Sequence, residues 1–368
     1  MKKLTLFFPN FNESHFVKDV FIFPFKLAKR LNMTLNIYSN YEESDTNDDG
    51  INFINLKNKR LSFFKNLFSI MKLARNTDVL FLFHFRWYSV VYSLVYKLLN
   101  PNGYCYIKGD LSLAEAERVT SIVNGKYSFL CLKNNILKFI YLMSDKSIDL
   151  ISAETKSSFE ILSNPNLSNR LPKIVYIPNG ISIINKEKIE KEKMIINVAR
   201  IGTPQKNTEF LLSVLDGLDL GDWSFYFIGS IEDEFNKNIN KFFVENPQHK
   251  DRVFFIGNLT SYDDLQYYYM RSYIFMLSSI YESYALVLNE AAVTNNYIIS
   301  SDVGCLSDLI NIHKVQGEVV DLDINSFRSS LSAAMNRYPL VIDNELDSLN
   351  IDNVIGNLVT HINTKGIK

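Results

Sequence analysis

Short apolar runs rich in Ile, Val, Phe and Tyr recur along the whole chain, and they are continuous rather than alternating. They lie at residues 4–8, 35–38, 51–56, 79–83, 104–107, 150–153 and 174–177, and then at 194–199, 225–228, 253–256, 274–277, 297–300 and 319–322. Such runs suit strands buried on both faces of a parallel sheet. Between them lie segments with helical spacing, at 16–31, 61–74, 208–215, 261–270 and 286–293. Strands alternating with helices predict βαβ units and an α/β fold. The run of strands restarts after the charged stretch 185–193, which predicts two domains of similar size. The acidic patch 42–49 reads as a solvated loop.

Length and composition agree with that division. At about 100–200 residues per domain, 368 residues fill two or three. With 47% hydrophobic and 21% charged residues the chain is not globally disordered. A net charge of −1 gives no argument for nucleic acid as a partner. Cys105, Cys131 and Cys305 are far apart, and the five histidines are scattered. Neither set has disulfide or metal-ligand spacing, which fits a reducing cytoplasm. The N-terminal apolar run is too short for a signal peptide core and reads as a first strand. No window reaches the roughly 18 apolar residues of a spanning helix. The expectation is a cytoplasmic protein, soluble or peripheral at the inner face of the cytoplasmic membrane.

Four segments of the second half carry polar chemistry. The run Met194-Ile-Ile-Asn-Val-Ala-Arg200-Ile-Gly202-Thr-Pro204-Gln-Lys206-Asn207 is a strand followed by a cation, a Gly/Pro turn and a second cation. Ligands of open α/β sheets bind beyond the carboxyl ends of the strands, and two cations there suit a diphosphate. They equally suit a surface turn. Gly229 and Gly257 each end a strand, as a ligand approach or as a plain turn. Next, Ser278-Ser279-Ile-Tyr-Glu282-Ser283-Tyr284-Ala285-Leu286 leads from a strand into a helix starting near residues 283–286, with Glu290 two turns in. Free N–H groups at that helix start favour an anion. On one helix, carboxylates eight residues apart would diverge by about 80°. Glu282 in the loop and Glu290 in the helix place two acceptors along one ligand, one for sugar and one for ribose hydroxyls. On spacing alone they are also an ordinary loop Glu and an ordinary helix Glu. Last, Ser301-Asp302-Val-Gly304-Cys305 is a turn before another helix, with Asp308 placed to complement its start.

In their order these pieces resemble the donor half of retaining glycosyltransferases of family 4, which have the GT-B fold. Ile177-Pro178-Asn179-Gly180 matches the family's linker, and Arg200 and Lys206-Asn207 match its cations. Gly229 and Gly257 match its strand-end glycines, Glu282 and Glu290 its Glu-x7-Glu motif, and Ser301–Gly304 its later turn. The resemblance spans about residues 174–336. It departs where the family has Glu-Gly-Phe-Gly and this chain Glu282-Ser283-Tyr284-Ala285, and where Cys305 replaces a second glycine.

The resemblance implies a fold and roles. The fold is two Rossmann-like domains with parallel sheets facing an interdomain cleft. Residues 1–178 hold the acceptor, residues 179–345 the donor, and a helix within 346–368 packs back on the first domain. Arg200 and Lys206 stabilise the leaving diphosphate, a contribution of about 2–4 kcal/mol per donor at oxyanion-type sites. Glu282 holds sugar hydroxyls, and Glu290 binds ribose. Gly202, Gly229, Ser283, Tyr284, Ala285 and Leu286 line the donor. No metal cofactor is implied; the only Asp-x-Asp spacing, Asp321-Leu-Asp323, lies away from these loops.

The first half is less telling. Lys18, after the first strand, either approaches the donor phosphates or is a solvated helix lysine. The family's mid-domain His is matched by Asp110 in Lys108-Gly109-Asp110, or supplied by His84 in Phe83-His84-Phe85. The stretch 56–75 is basic, amphipathic and aromatic-rich. It reads as a helix packed on the sheet or as a membrane contact. The implied activity is retaining transfer of a hexose-type sugar from a UDP- or GDP-sugar. The acceptor would be a glycan or polyprenyl-diphosphate-linked saccharide of a bacterial surface polysaccharide. A nucleotide-sugar 2-epimerase and a non-catalytic partner subunit remain as alternatives.

Overall fold

The computed structural model describes residues 2–362 apart from 42–49, 58–62, 126–131, 168, 182–188, 260, 340, 341, 343 and 345. The acidic patch 42–49, Cys131 and parts of the stretches 56–75, 185–193 and 346–368 thus lie outside the described residues. The chain divides into two units, Met1–Gly180 with Ser348–Lys368, and Ile181–Asp347.

The first unit runs β1 (Lys3–Phe7), α1 (Asp19–Arg30), β2 (Thr34–Ser39), β3 (Ile51–Asn55), α2 (Phe63–Leu73), β4 (Val79–Phe83), α3 (Trp87–Leu99), β5 (Tyr104–Lys108), α4 (Leu113–Val123), α5 (Leu132–Met143), β6 (Leu150–Ala153), α6 (Lys156–Leu162) and β7 (Ile174–Tyr176). Its parallel sheet has the order β3-β2-β1-β4-β5-β6-β7. The order reverses between β1 and β4, so a crevice opens at the carboxyl ends of those strands. Both faces of the sheet are apolar because both are covered. Leu80 and Leu82 join the core beneath α2, α3, α4 and α5. Val79, Phe81 and Phe83 join the core under α1.

The second unit continues β8 (Glu192–Val198), α7 (Thr208–Leu215), β9 (Ser224–Ile228), α8 (Asn236–Glu245), β10 (Val253–Gly257), α9 (Tyr262–Arg271), β11 (Ser272–Leu277), α10 (Leu286–Val293), β12 (Tyr297–Ser300), α11 (Leu306–Asn311), β13 (Gly317–Val319) and α12 (Ile324–Asn336). The sheet order is β10-β9-β8-β11-β12-β13, again parallel, reversing between β8 and β11. The last strand sits earlier than the run 319–322 predicts. Gly317 pairs with Ile298, where a Cβ would stand 2.5 Å from the Ile298 carbonyl oxygen. Asp323 has already left the sheet to cap α12, accepting from Ser326 N at 2.9 Å.

A last helix, α13 (Ile351–His361), belongs to the first unit. It packs on α1, with Lys26 Nζ 2.9 Å from Asp352 Oδ1. The Ile-Pro-Asn-Gly segment serves this packing. Buried Asn179 donates to Glu154 Oε2 at 3.3 Å. A Cβ on Gly180 would come within 2.6 Å of the Ile351 Cα. Among the described residues no helix is long and apolar enough to cross a membrane.

Gly229 follows β9 with φ +139°, and a Cβ there would stand 1.9 Å from the Ala199 carbonyl oxygen. Gly229→Ala is therefore expected to cost more than about 2 kcal/mol, measured as a lower urea midpoint at unchanged slope. Gly257→Ala is the control. It shares a positive φ of +77° but has nothing within 4 Å, so its cost should be clearly smaller.

Candidate functional site

The loops that follow β8 and β11 flank the switch point of the second sheet, where ligands of open α/β sheets bind. β8 ends, Arg200 stands exposed, and the chain turns at Gly202 (φ +89°) before Asn207 (φ +52°) opens α7. A Cβ on Gly202 would lie 2.5 Å from the Phe235 Cβ, so packing demands this glycine. After β11 the second loop carries Ser278, Ser279, Glu282 and Ser283, and Ala285 (φ +64°) is the N-cap of α10.

The two loops are stitched together. Ile280 N donates to the Gln205 carbonyl at 2.8 Å. The Ser278 hydroxyl donates to the carbonyls of Lys206 at 3.1 Å and Asn207 at 3.0 Å. At the centre the Lys206 ammonium pairs with the Glu282 carboxylate. That carboxylate also accepts from Ser279 Oγ at 2.7 Å and Gln205 Nε2 at 3.2 Å. The two side chains are only 18% and 8% exposed, so solvent screens the pair weakly. A third loop braces the second. The Ser301 hydroxyl donates to the Ser279 carbonyl at 2.7 Å, and Cys305 N to the Tyr284 carbonyl at 2.9 Å.

The structure thus brings Lys206 and Glu282 together, while Arg200 lies exposed at the strand end outside that contact. Two expectations need correction. Glu290 lies about one turn into α10, not two, because the loop stays non-helical as far as Ala285 and the helix starts at Leu286. The Tyr284 side chain does not line a ligand surface. It is 2% exposed and its hydroxyl shares hydrogen bonds with Asn289. Ser283, Ala285 and Leu286 are partly buried around the helix start.

Glu290 is under electrostatic stress. Burial raises its carboxyl above the ordinary range, while the Tyr269 hydroxyl opposes that shift. Tyr269 is itself fully buried on α9, and its hydroxyl is held well above the usual phenol range by burial and by the Glu290 charge.

In the first unit Lys18 is exposed as the N-cap residue of α1. His84 and Asp110, read as alternatives in the sequence, are neighbours. His84 Nδ1 lies 2.9 Å from Asp110 Oδ2, close enough for an ion pair though not aligned as a hydrogen bond. They follow adjacent strands, β4 and β5, and both have left-handed backbones, at φ +64° and +42°. Non-glycine residues held this way cost about 1–3 kcal/mol each and collect at functional sites. Ladder-like bonds enforce it here, from His84 N to the Lys108 carbonyl at 2.9 Å and from Phe85 N to the Gly109 carbonyl at 3.0 Å.

Sequence reasoning missed the group beneath them. Lys108 is fully buried between the rings of Phe23 and Phe83. It pairs with Glu154 and, at 2.9 Å, with Asp19 at the start of α1. The available signal was a lysine and a glutamate directly after wholly apolar strand runs. Among the described residues no three His, Cys, Asp or Glu side chains converge as metal ligands would.

Comparison with known proteins bears on the fold and on the second unit. Residues 181–337 match the model of the family described as glycosyl transferases group 1. A Klebsiella pneumoniae protein, described as an uncharacterized 41.2 kDa protein in the cps region, is 26% identical over 191 residues, 49% of this chain and 50% of that protein. The chain thus spans about half the length of the curated relative it matches. Among solved structures, the lipopolysaccharide outer core galactosyltransferase WaaB in its apo form has a TM-score of 0.68 and 17% identity, over 99% of this chain and 100% of that one. HepE of Anabaena in complex with UDP-glucose has a TM-score of 0.63 and 12% identity, over 98% and 100%. Identities this low speak to fold. The fold is GT-B, two Rossmann-like domains with parallel sheets.

The stress on Glu290 has a measurable sign. A carboxyl raised in the folded state gives stability that is complete below its unfolded value, near 4.5, and is lost as pH rises through the folded value. Glu290→Gln should therefore unfold at higher temperature than the parent at neutral pH, and the advantage should vanish below pH 4.5. Calorimetry across that range checks it.

Proposed function

We propose, on the premise that residues 181–337 carry a group 1 glycosyl transferase module, that this chain is a glycosyltransferase. It moves a hexose-type sugar, with retention, from a UDP- or GDP-sugar to a glycan or polyprenyl-diphosphate-linked acceptor of a bacterial surface polysaccharide. The observation that carries this reading is the Lys206–Glu282 pair at the switch point, beside the N-terminus of α10. A nucleotide sugar needs that combination: a cation and free helix N–H groups for the diphosphate, and a carboxylate for the hydroxyls of the sugar.

The roles follow. Lys206 and Arg200 take the negative charge that grows on the leaving diphosphate. The first N–H groups of α10, beyond Ser283 and Ala285, add to that stabilisation. Glu282 accepts from sugar hydroxyls and Glu290 from the ribose. The departing phosphate oxygen takes the acceptor proton on the face it leaves, which retains configuration. The similar proteins support this class of donor and product: one is seen in complex with UDP-glucose, one is a lipopolysaccharide outer core galactosyltransferase, and one lies in a cps region.

The His84–Asp110 contact favours a second reading of the stereochemistry alone. An imidazole beside a carboxylate that stabilises its protonated form suits a general base. If it took the acceptor proton, attack would come from the face opposite the phosphate and invert the anomeric centre. The proton coupling at the new anomeric carbon distinguishes the two.

Release of nucleoside diphosphate should accelerate when acceptor is added, which an epimerase would not show. Glu282→Ala should lower that acceptor-dependent rate by about 100-fold or more, at unchanged near-UV circular dichroism. A variant with the parent's rate would overturn the assignment.

A further inference from the structure

The crevice of the first sheet is lined by rings. The strand order reverses between β1 and β4; Phe8 follows the first of these strands and His84 the second. The Phe8 ring centroid lies 5.5 Å from that of His15 and 6.3 Å from that of His84. Phe8, His15 and His84 are each partly exposed. Beside them Phe83 packs edge-on against Phe8 and Phe11 against His15, and these two are only 5% and 4% exposed. The backbone is held as well. Phe8 N donates to the Tyr38 carbonyl at 3.1 Å, and Asn40 Nδ2 to the Pro9 carbonyl at 3.1 Å. Rings that only fill a core are covered on all sides. Phe8, His15 and His84 keep open surface at the end of the sheet where ligands of α/β folds bind.

The polar atoms around these rings have set roles. Asn12 N donates to His15 Nδ1 at 3.0 Å, so in the neutral ring Nε2 carries the proton and is a donor. Burial, and then the Lys18 charge, hold His15 below its ordinary value, which keeps the ring neutral at pH 7. His84 stands beside the Asp110 carboxylate, an acceptor. Two cations of this region are spent on carboxylates: Lys108 on Glu154 and Asp19, and Arg86 on Glu115. The crevice therefore offers a flat apolar ring edged by an N–H donor and a carboxylate acceptor. A pyranose is the complement. One of its faces carries C–H groups that pack on an aromatic ring, and its rim carries hydroxyls that both accept and donate. A phosphate or an acidic sugar would instead set its charge against Asp110.

We infer that Phe8 and His15 bind a neutral pyranose, stacked on the Phe8 ring with one hydroxyl accepting from His15 Nε2. The rim of that sugar lies beside His84 and Asp110. The group that accepts the transferred sugar is then a sugar hydroxyl and not a lipid phosphate. This role as acceptor rests on the transferase reading; the sugar binding itself does not.

The test is saturation-transfer NMR on the full chain without donor. The probes are the methyl pyranosides of glucose, galactose, mannose and N-acetylglucosamine, with methyl glucuronide and glycerol 3-phosphate as anionic counterparts. At least one neutral pyranoside should bind, with saturation strongest at the ring C–H protons of one face, and more tightly than either anion. Phe8→Leu keeps apolar volume without a flat ring and should bind that sugar about fivefold more weakly, while Phe8→Tyr should stay within about twofold of the parent. His15→Glu keeps an acceptor for Asn12 N but has no N–H to donate, and should bind about threefold more weakly. Binding of no neutral pyranoside, tighter binding of an anion, or parent-like binding by Phe8→Leu or by His15→Glu overturns the proposal. A chain that binds a pyranoside through Phe8 but never releases nucleoside diphosphate faster in its presence counts against the transferase reading alone. One that transfers to a sugar with the same KM in the parent and Phe8→Leu counts against the Phe8 platform alone.

Discussion

The ion pair between Lys206 and Glu282 is the contact on which the second unit's loops depend. It ties the loop after β8 to the loop after β11 across the point where the strand order reverses. Ser278, Ser279 and Gln205 hold the same two loops from the sides. The pair also keeps a cation and a carboxylate half-sheltered without a ligand, each satisfied by the other. A diphosphate entering beside α10 offers Lys206 a second anion, and sugar hydroxyls offer Glu282 new donors. The cost of sheltering the two charges is already met when the donor arrives, which is what preorganisation means in electrostatic terms.

Other parts of the protein bear stress at the same places. Of the non-glycine residues with positive φ, His84 and Asp110 come just after β4 and β5, and Asn207 and Ala285 are the N-caps of α7 and α10, the helices that follow the strands flanking the second switch point. Ala285 shows the cost most simply. The loop needs a left-handed residue there, and this chain uses alanine where the family resemblance has glycine. Gly304 makes room for it, since a Cβ on Gly304 would stand 2.2 Å from the Tyr284 carbonyl oxygen. Glu290 facing the Tyr269 hydroxyl, and Lys108 between two carboxylates, are buried-charge versions of the same thing. Ion pairs of this kind contribute little net stability and specify arrangement instead.

The parallel sheets were legible in the sequence because strands buried on both faces must be apolar throughout. Even α7 and α10 show their limits in the pattern. Legibility failed where the determinant is not local. β13 starts at Gly317 because of how closely it approaches Ile298, which no window of sequence contains. The pairing of His84 with Asp110 joins neighbouring strands across a helix, so spacing could only offer them as alternatives. Nothing around Lys108 in the sequence names its partners, because Asp19 and Glu154 come from α1 and from the residue after β6. Glu282 and Glu290 were visible as a motif, but the neutralisation of Glu282 by Lys206 was not. That depends on the fold bringing two loops together.

The most direct test of the account is calorimetric titration of UDP and GDP into the parent, Glu282→Gln and Lys206→Met. If the Lys206 ammonium leaves Glu282 for phosphate when the donor binds, the carboxylate competes with phosphate, and removing its charge frees the ammonium. Glu282→Gln should then bind the preferred nucleoside diphosphate roughly threefold or more tightly than the parent, and Lys206→Met more weakly. Weaker binding by Glu282→Gln, with Lys206→Met binding as the parent does, would contradict it.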